Sequence, residues 1–317
     1  MRPFLDDLSP LELRVLARIR LAVTARLVAA AVYRDPALAE LIARPFQLAL
    51  KVPGLPRALV AGLDGRVSAW AGGAAPSLRL PADLTLLFPS PRDCARVLDG
   101  ASGRVFPIPG GLGAGRALRF FRAAASAAPR ILKSPDTPSA VRAELLLEAA
   151  VSALVETAAA DPYAAPKLEH APDGLLVVDA GEGVRRALRK EGIRLRLVPV
   201  PGSESCSTGA ESGPSGAEPP NGTNPAGAGR PGGGRTKAAR ADAVRIDAAR
   251  TDAILAFRDP EAAVAVLSGK KSAVTALGAC EASIRGLVPL VQSLFAVLDR
   301  ASRYLAVQAE REAGHGR

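Results

Sequence analysis

Cysteine and histidine are nearly missing from this chain, and their scarcity excludes several kinds of chemistry. Cys94, Cys206 and Cys280 stand 112 and 74 residues apart, with no CxxC and no histidine beside them. That spacing supports neither a disulfide framework nor a zinc site, and Cys94 and Cys280 read as small core residues. The two histidines are His170, in a proline-flanked connector, and His315, near the end of the sequence. A metal site or a Ser/His/Asp triad therefore lacks a well-placed imidazole. Aromatic residues are only 4% of the chain. The formal charge of +10 comes from 34 Arg and 7 Lys spread along most of its length. There is no aromatic-rich RNA-binding strand and no helix-turn-helix signature, so no specific nucleic-acid partner is expected. A basic surface attracts any polyanion, anionic lipid included. Long apolar runs are missing too: the charge-free stretch Gly286 to Leu298 has 13 residues, short of the roughly 20 that cross a bilayer. Arg14, Arg18, Arg20 and Arg26 interrupt what would be the h-region of a secretory signal, and the cytoplasm is the expected location.

The 317 residues are 48% hydrophobic, enough for two domains with buried cores. Pro201 to Arg240 has almost no aliphatic side chain beyond alanine, and such a composition predicts a disordered loop. It does not mark a domain boundary, because a repeat runs across it. Asp83 to Gly100 and Asp252 to Gly269 align without gaps at an offset of 169, matching Asp83/Asp252, Phe88/Phe257, Pro91/Pro260, Leu98/Leu267 and Gly100/Gly269. In each copy a short strand ends near the Phe, Ser90 or Asp259 caps a helix with Pro at its first position, and the Gly ends that helix.

The repeat extends outward. In the first copy Phe46 to Val52 alternates as a strand, and Arg57 to Gly62 and Arg66 to Ala71 flank the turn signal Asp64-Gly65. In the second, Leu175 to Asp179 is a strand, and Arg185 to Arg189 and Ile193 to Val200 flank Glu191-Gly192. Each copy closes with an amphipathic helix, with Phe120, Phe121 and Ala124 on the apolar stripe of one and Leu290, Leu294 and Leu298 on that of the other. Without the 40-residue tract, Gly174 to Leu305 has 92 residues against 88 for Phe46 to Lys133. The tract is thus an insertion between the third and fourth strands of the second copy. Thr137 as N-cap and Pro138 at the first position begin a connector helix carrying Val141, Leu145, Leu146, Ala149, Leu154 and Val155. The expected organisation is an N-terminal helical segment 1–45, a first unit 46–133, a helical connector 134–173, a second unit 174–308 with its insertion at 201–240, and a tail 309–317.

The pattern Asp-x-x-apolar-x-Phe-x-x-Pro, then Leu-x-Gly, followed by Ala282-Ser-Ile-Arg-Gly286 and a helix ending Arg300-Ala-Ser-Arg-Tyr304-Leu305, resembles the sterol carrier protein type-2-like lipid-binding domain. The whole layout is similar to a bacterial group of tandem proteins of this kind. The likeness covers Phe46 to Leu305 and is better in the second copy; in the first, Pro107-Ile-Pro-Gly-Gly111 replaces the Ile-Arg-Gly strand end. The resemblance implies an α+β fold of two tandem units. Each would be a mainly antiparallel sheet of about five strands covered by helices, with an apolar tunnel for a fatty acyl chain, sterol or similar lipid. The insertion occupies what would otherwise be a short hairpin.

Candidate tunnel residues are Leu86, Phe88, Leu98 and Phe121 in the first unit and Leu255, Phe257, Leu267, Leu294 and Leu298 in the second; the alternative for each is ordinary core. Asp83 and Asp252 recur, but with no second repeated acid or base beside them they read as groups that satisfy local backbone. Gly110 to Gly115 fits neither a dinucleotide fingerprint nor a P-loop and reads as a flexible loop, and Trp70 reads as core. The helix Leu13 to Arg34 has five Arg and no acid. It either packs on the first copy with its arginines exposed or makes transient contact with an anionic membrane. The function expected is non-enzymatic binding or transfer of lipid or another apolar small molecule, with no cofactor. The rival is a scaffold protein with fully packed units and a basic surface.

Overall fold

The computed structural model describes residues 5–63, 66–71, 82–201 and 251–306. The tract read as disordered, 201–240, lies outside the described residues except for Pro201, as do the Asp64-Gly65 turn, Cys206 and the tail 309–317. The fold is α+β, with two five-stranded, mostly antiparallel sheets covered by helices. The first unit runs α1 (Pro10–Val32), α2 (Pro36–Leu41), β1 (Phe46–Lys51), β2 (Ala58–Leu63), β3 (Arg66–Trp70), β4 (Leu84–Leu87), α3 (Pro91–Leu98), β5 (Phe106–Pro109) and α4 (Ala114–Lys133). The second runs α5 (Ser139–Ala160), α6 (Ala164–Glu169), β6 (Gly174–Asp179), β7 (Arg185–Glu191), β8 (Arg194–Val198), β9 (Ala253–Phe257), α7 (Pro260–Leu267), α8 (Ala273–Gly278), β10 (Ala282–Gly286) and α9 (Val288–Leu305).

The strand orders β3-β2-β1-β4-β5 and β8-β7-β6-β9-β10 are the same topology. The central strand of each sheet pairs antiparallel with the second strand and parallel with the fourth, Leu48 lying opposite Val60 and Leu84, and Leu176 opposite Leu188 and Ala253. This corrects one expectation. β9 pairs with β6 and not with β8, so the third and fourth strands are not hairpin neighbours, and β8 is an edge of its sheet.

Local chemistry sets the repeated elements. Ser90 Oγ accepts from the Asp93 N–H at 3.0 Å, and Asp259 Oδ1 from the Ala262 N–H at 2.8 Å, each capping an otherwise unpaired donor at a helix start. Gly100 and Gly269 end these helices with φ of +83° and +74°, where a side chain would be strained. Asp83 and Asp252 tie the fourth strand to the first: their carboxylates accept from Gln47 N–H at 2.8 Å and Leu175 N–H at 2.7 Å. Asp83 also accepts from Gly113 N–H at 3.3 Å, and a Cβ at Gly111 or Gly113 would stand 2.7 Å from its carboxylate. The glycine-rich loop, read as flexible, is therefore held closely against Asp83.

The helices before the two sheets correspond to one another. α1 with α2 and α5 with α6 precede their first strands at an offset of 128 to 129 residues. α5 starts at Ser139 with Pro138 as N-cap, one residue later than expected from Thr137. α1 is apolar on two sides: Leu21, Ala25 and Val28 pack in the first unit, while Leu16, Ile19 and Val23 join Ala153, Ala301 and Tyr304 between the units. A helix buried on two sides has little surface left for water. Of the arginines from Leu13 to Arg34, Arg14 and Arg34 are exposed, as expected, while Arg18, Arg20 and Arg26 are half-buried. Arg18 pairs with Glu156, Arg26 with Glu148 at 3.1 Å and Arg34 with Glu144. The pairs climb one helix as they descend the other, so α1 and α5 lie antiparallel. Glu148 and Glu156 are buried, and a buried carboxylate is tolerable only when paired.

Other expectations change with burial. Trp70 is half-buried at the end of an edge strand, and Cys280 is exposed with φ of +56°; neither is core. Cys94 is buried.

Candidate functional site

In the second unit an apolar cavity of about 110 Å³ lies between the sheet and helices α5, α7 and α9. β10 ends at Gly286, with φ of +82°, where a Cβ would stand 2.2 Å from the Asp252 carbonyl oxygen. The missing side chain lets the chain turn there, and α9 then runs back over the sheet with Leu290, Val291 and Leu294 inward. All five residues expected in this unit, Leu255, Phe257, Leu267, Leu294 and Leu298, line the cavity. Leu176, Val178 and Leu188 complete its sheet side. Half-buried Val266, Leu267, Phe295, Leu298 and Leu305 stand at its open side with exposed Ser302.

The lining is alanine, valine, leucine and phenylalanine except for Ser302, whose Oγ donates to the Leu298 carbonyl at 2.9 Å. The described lining holds no acid or base, and its one polar side chain is the Ser302 hydroxyl. Asp252 is held by backbone amides at the start of β9 and is not among the lining residues.

The first unit differs. Leu86 and Phe88 are buried in a continuous core, and Leu98 and Phe121 pack against it half-buried; none of the four lines the cavity. Phe46 and Phe120 fill the centre of that core with ring centroids 4.5 Å apart, and Gly62 makes room, since a Cβ there would stand 2.4 Å from the Phe46 ring. In the second unit the strand pairing puts Gly174 at the place of Phe46, where a Cβ would stand 3.1 Å from Asp252 and 3.2 Å from Leu290.

Thirteen of the 18 lining residues were not singled out from the sequence. Leu147, Val151 and Leu154 of α5 form the cavity wall opposite the sheet. The signal was available: 15 of the 22 residues of α5 are Ala, Val or Leu, and a stretch so apolar around its circumference belongs inside a fold rather than between two. α8, which has no counterpart in the first unit, adds Ala273 at the open side; its cap, Ser272 accepting from the Thr275 N–H at 3.0 Å, was readable.

A polar cluster closes the far end of α9. Arg300 donates to Asp161 at 2.8 Å and to Glu12 at 3.3 Å, and the Tyr304 hydroxyl donates to Asp161 at 2.7 Å. Burial acts to raise the Asp161 pKa, but hydrogen bonds from Arg300, the Tyr163 N–H and Tyr304 outweigh it and hold the carboxyl below the ordinary range. Burial first, then the bond to Asp161, pushes the Tyr304 hydroxyl up. Among the described residues no group of three or more His, Cys, Asp and Glu is placed to hold a metal ion, and no helix is long and apolar enough to cross a membrane.

No protein-family model, curated protein or solved structure matches the chain.

Proposed function

We propose that the second unit binds an apolar chain or a similarly apolar small molecule without chemical conversion, in the cytoplasm, and that the first unit is a packed structural partner. The observation that carries this reading is the cavity of about 110 Å³ whose lining is apolar apart from one satisfied hydroxyl. The sequence resemblance to sterol-carrier-type domains supports the same class of ligand.

Size limits what enters. An apolar cavity of roughly 150 Å³ admits benzene, and most small-molecule pockets exceed roughly 300 Å³. The cavity as it stands takes a ring or a few methylenes, each worth about 0.8 kcal/mol on leaving water. A whole sterol or acyl chain requires the half-buried side chains at the open side, Phe295, Leu298 and Leu305, to move apart. The paired arginines of α1 give no support to membrane contact, because Arg18, Arg26 and Arg34 serve the interface with α5.

The test is native mass spectrometry of the purified protein with lipid extraction, followed by titration with a fluorescent fatty-acyl probe. Bound lipid, or probe binding that Leu298→Trp removes from a folded protein, is the expected result. Absence of both would favour the scaffold reading, in which each unit only presents surface.

A further inference from the structure

An edge strand leaves every second residue with its backbone N–H and C=O turned away from the sheet. In the first sheet both edges are managed. β5 carries Pro107 and Pro109, which have no N–H to offer. In β3 the Tyr33 hydroxyl accepts from the Val67 N–H at 3.0 Å and donates to the Val67 carbonyl at 3.2 Å, so one side chain satisfies both outward groups.

The same position in the second unit is Leu195 of β8. Val67 and Leu195 each follow the pair that closes its hairpin, Leu63 with Arg66 and Glu191 with Arg194, and both therefore turn their backbone groups outward. Tyr33 is the C-cap of α1, and the C-cap of α5 is Asp161, whose carboxylate is engaged by Arg300 and Tyr304. No side chain among the described residues caps Leu195, or Leu197 two places on. Both border a groove of about 720 Å³ between the units. Val155 and Ala159 of α5 and Ala22 of α1 give it an apolar floor. Its charged lining is Arg18, Arg26, Arg194, Arg196 and Glu156. Arg18 and Arg26 are already paired, while Arg194 and Arg196 are exposed and make no ion pair with any described residue.

The geometry points to β8 as a site of strand addition that takes an extended peptide segment of alternating apolar and acidic residues. Main-chain bonds to Leu195 and Leu197 would supply register, as in other edge-strand recognition. Side chains of one parity would meet the apolar floor, and those of the other would lie beside Arg194 and Arg196. Five residues of β8 give about 16 Å of pairing at about 3.3 Å each. The site is separated from the apolar cavity by α5 and does not depend on the lipid reading.

The probe is a fluorescein-labelled peptide of about six residues alternating valine and glutamate, followed by anisotropy and by hydrogen exchange of the full chain. Expected are saturable, salt-sensitive binding and slowed exchange at the Leu195 and Leu197 amides, which exchange freely without peptide. N-methylation of the peptide at alternate residues of one parity should weaken binding about tenfold or more, and of the other parity leave it unchanged. The exposed double variant Arg194→Glu/Arg196→Glu should lose the acidic peptide, and Leu298→Trp should not affect it. Amides already protected in the free protein, or equal sensitivity to both N-methyl parities, would overturn the proposal. So would binding of anionic phosphatidylglycerol vesicles in place of the peptide, which would give the arginines to lipid headgroups.

Discussion

Replacing Leu294 by a larger residue tells a void from a packed core by the sign of the effect. Leu294 is buried on α9 and faces the cavity of about 110 Å³. At roughly 24 cal/mol per Å³, an empty cavity of this size costs the fold at most about 2.6 kcal/mol. Leu294→Phe puts a phenyl ring in that place. The ring adds less volume than the void holds, and the expected gain is about 1 kcal/mol. In a fully packed core the same change forces its neighbours off their rotamers and costs about 1 to 3 kcal/mol. The complementary Leu294→Ala should lose stability toward the lower end of the roughly 2 to 5 kcal/mol range, because part of the surroundings of Leu294 is already empty. Urea midpoints at unchanged slope measure both variants, and fatty-acyl probe titration of the same samples reads the cavity. A destabilised Leu294→Phe protein that still binds probe as the parent does would refute the assignment of this void as the ligand site.

Three further outcomes follow from contacts elsewhere. Glu148→Ala leaves Arg26 and Arg186 without the buried carboxylate that they reach at 3.1 and 2.5 Å; stability should fall by about 3 to 5 kcal/mol in denaturant titration, and a loss under 1 kcal/mol would show that water replaces the pair. The folded-state pKa of Asp161 is depressed, so its contribution is full above its unfolded value of about 3.9 and is lost as pH falls through the folded value; an acid unfolding profile should therefore flatten at its low-pH end in Asp161→Asn, and an unchanged profile would exclude this group. Cysteine mapping by mass spectrometry after alkylation of the native protein should label exposed Cys280 and spare Cys94, whose thiol burial pushes up and out of reach.

Elements governed by neighbours in the chain were legible from the residues alone. Caps at Ser90 and Asp259, terminating glycines at 100 and 269, strand alternation and the doubled unit follow from side chains a few positions apart, and the two sheets appear where those signals fall. The repeat also singled out the five lining residues of the second unit, because inward positions of a strand or helix keep their period whatever they face. Whether those positions enclose space was not legible. That depends on volumes summed over distant residues: Phe46 meets Phe120 in the core of the first unit, and the cavity of the second is lined by side chains from Leu147 to Leu305. Charge partners were equally hidden: Arg18 meets Glu156 138 residues away, and Arg300 meets Glu12 across 288. A run of arginines without nearby acids looks like a basic surface until the fold lays an acidic helix along it. The capping of β3 by Tyr33 and the open edge of β8 were likewise settled by the tertiary structure, since which backbone groups remain unpaired is known only once every strand has found its neighbours.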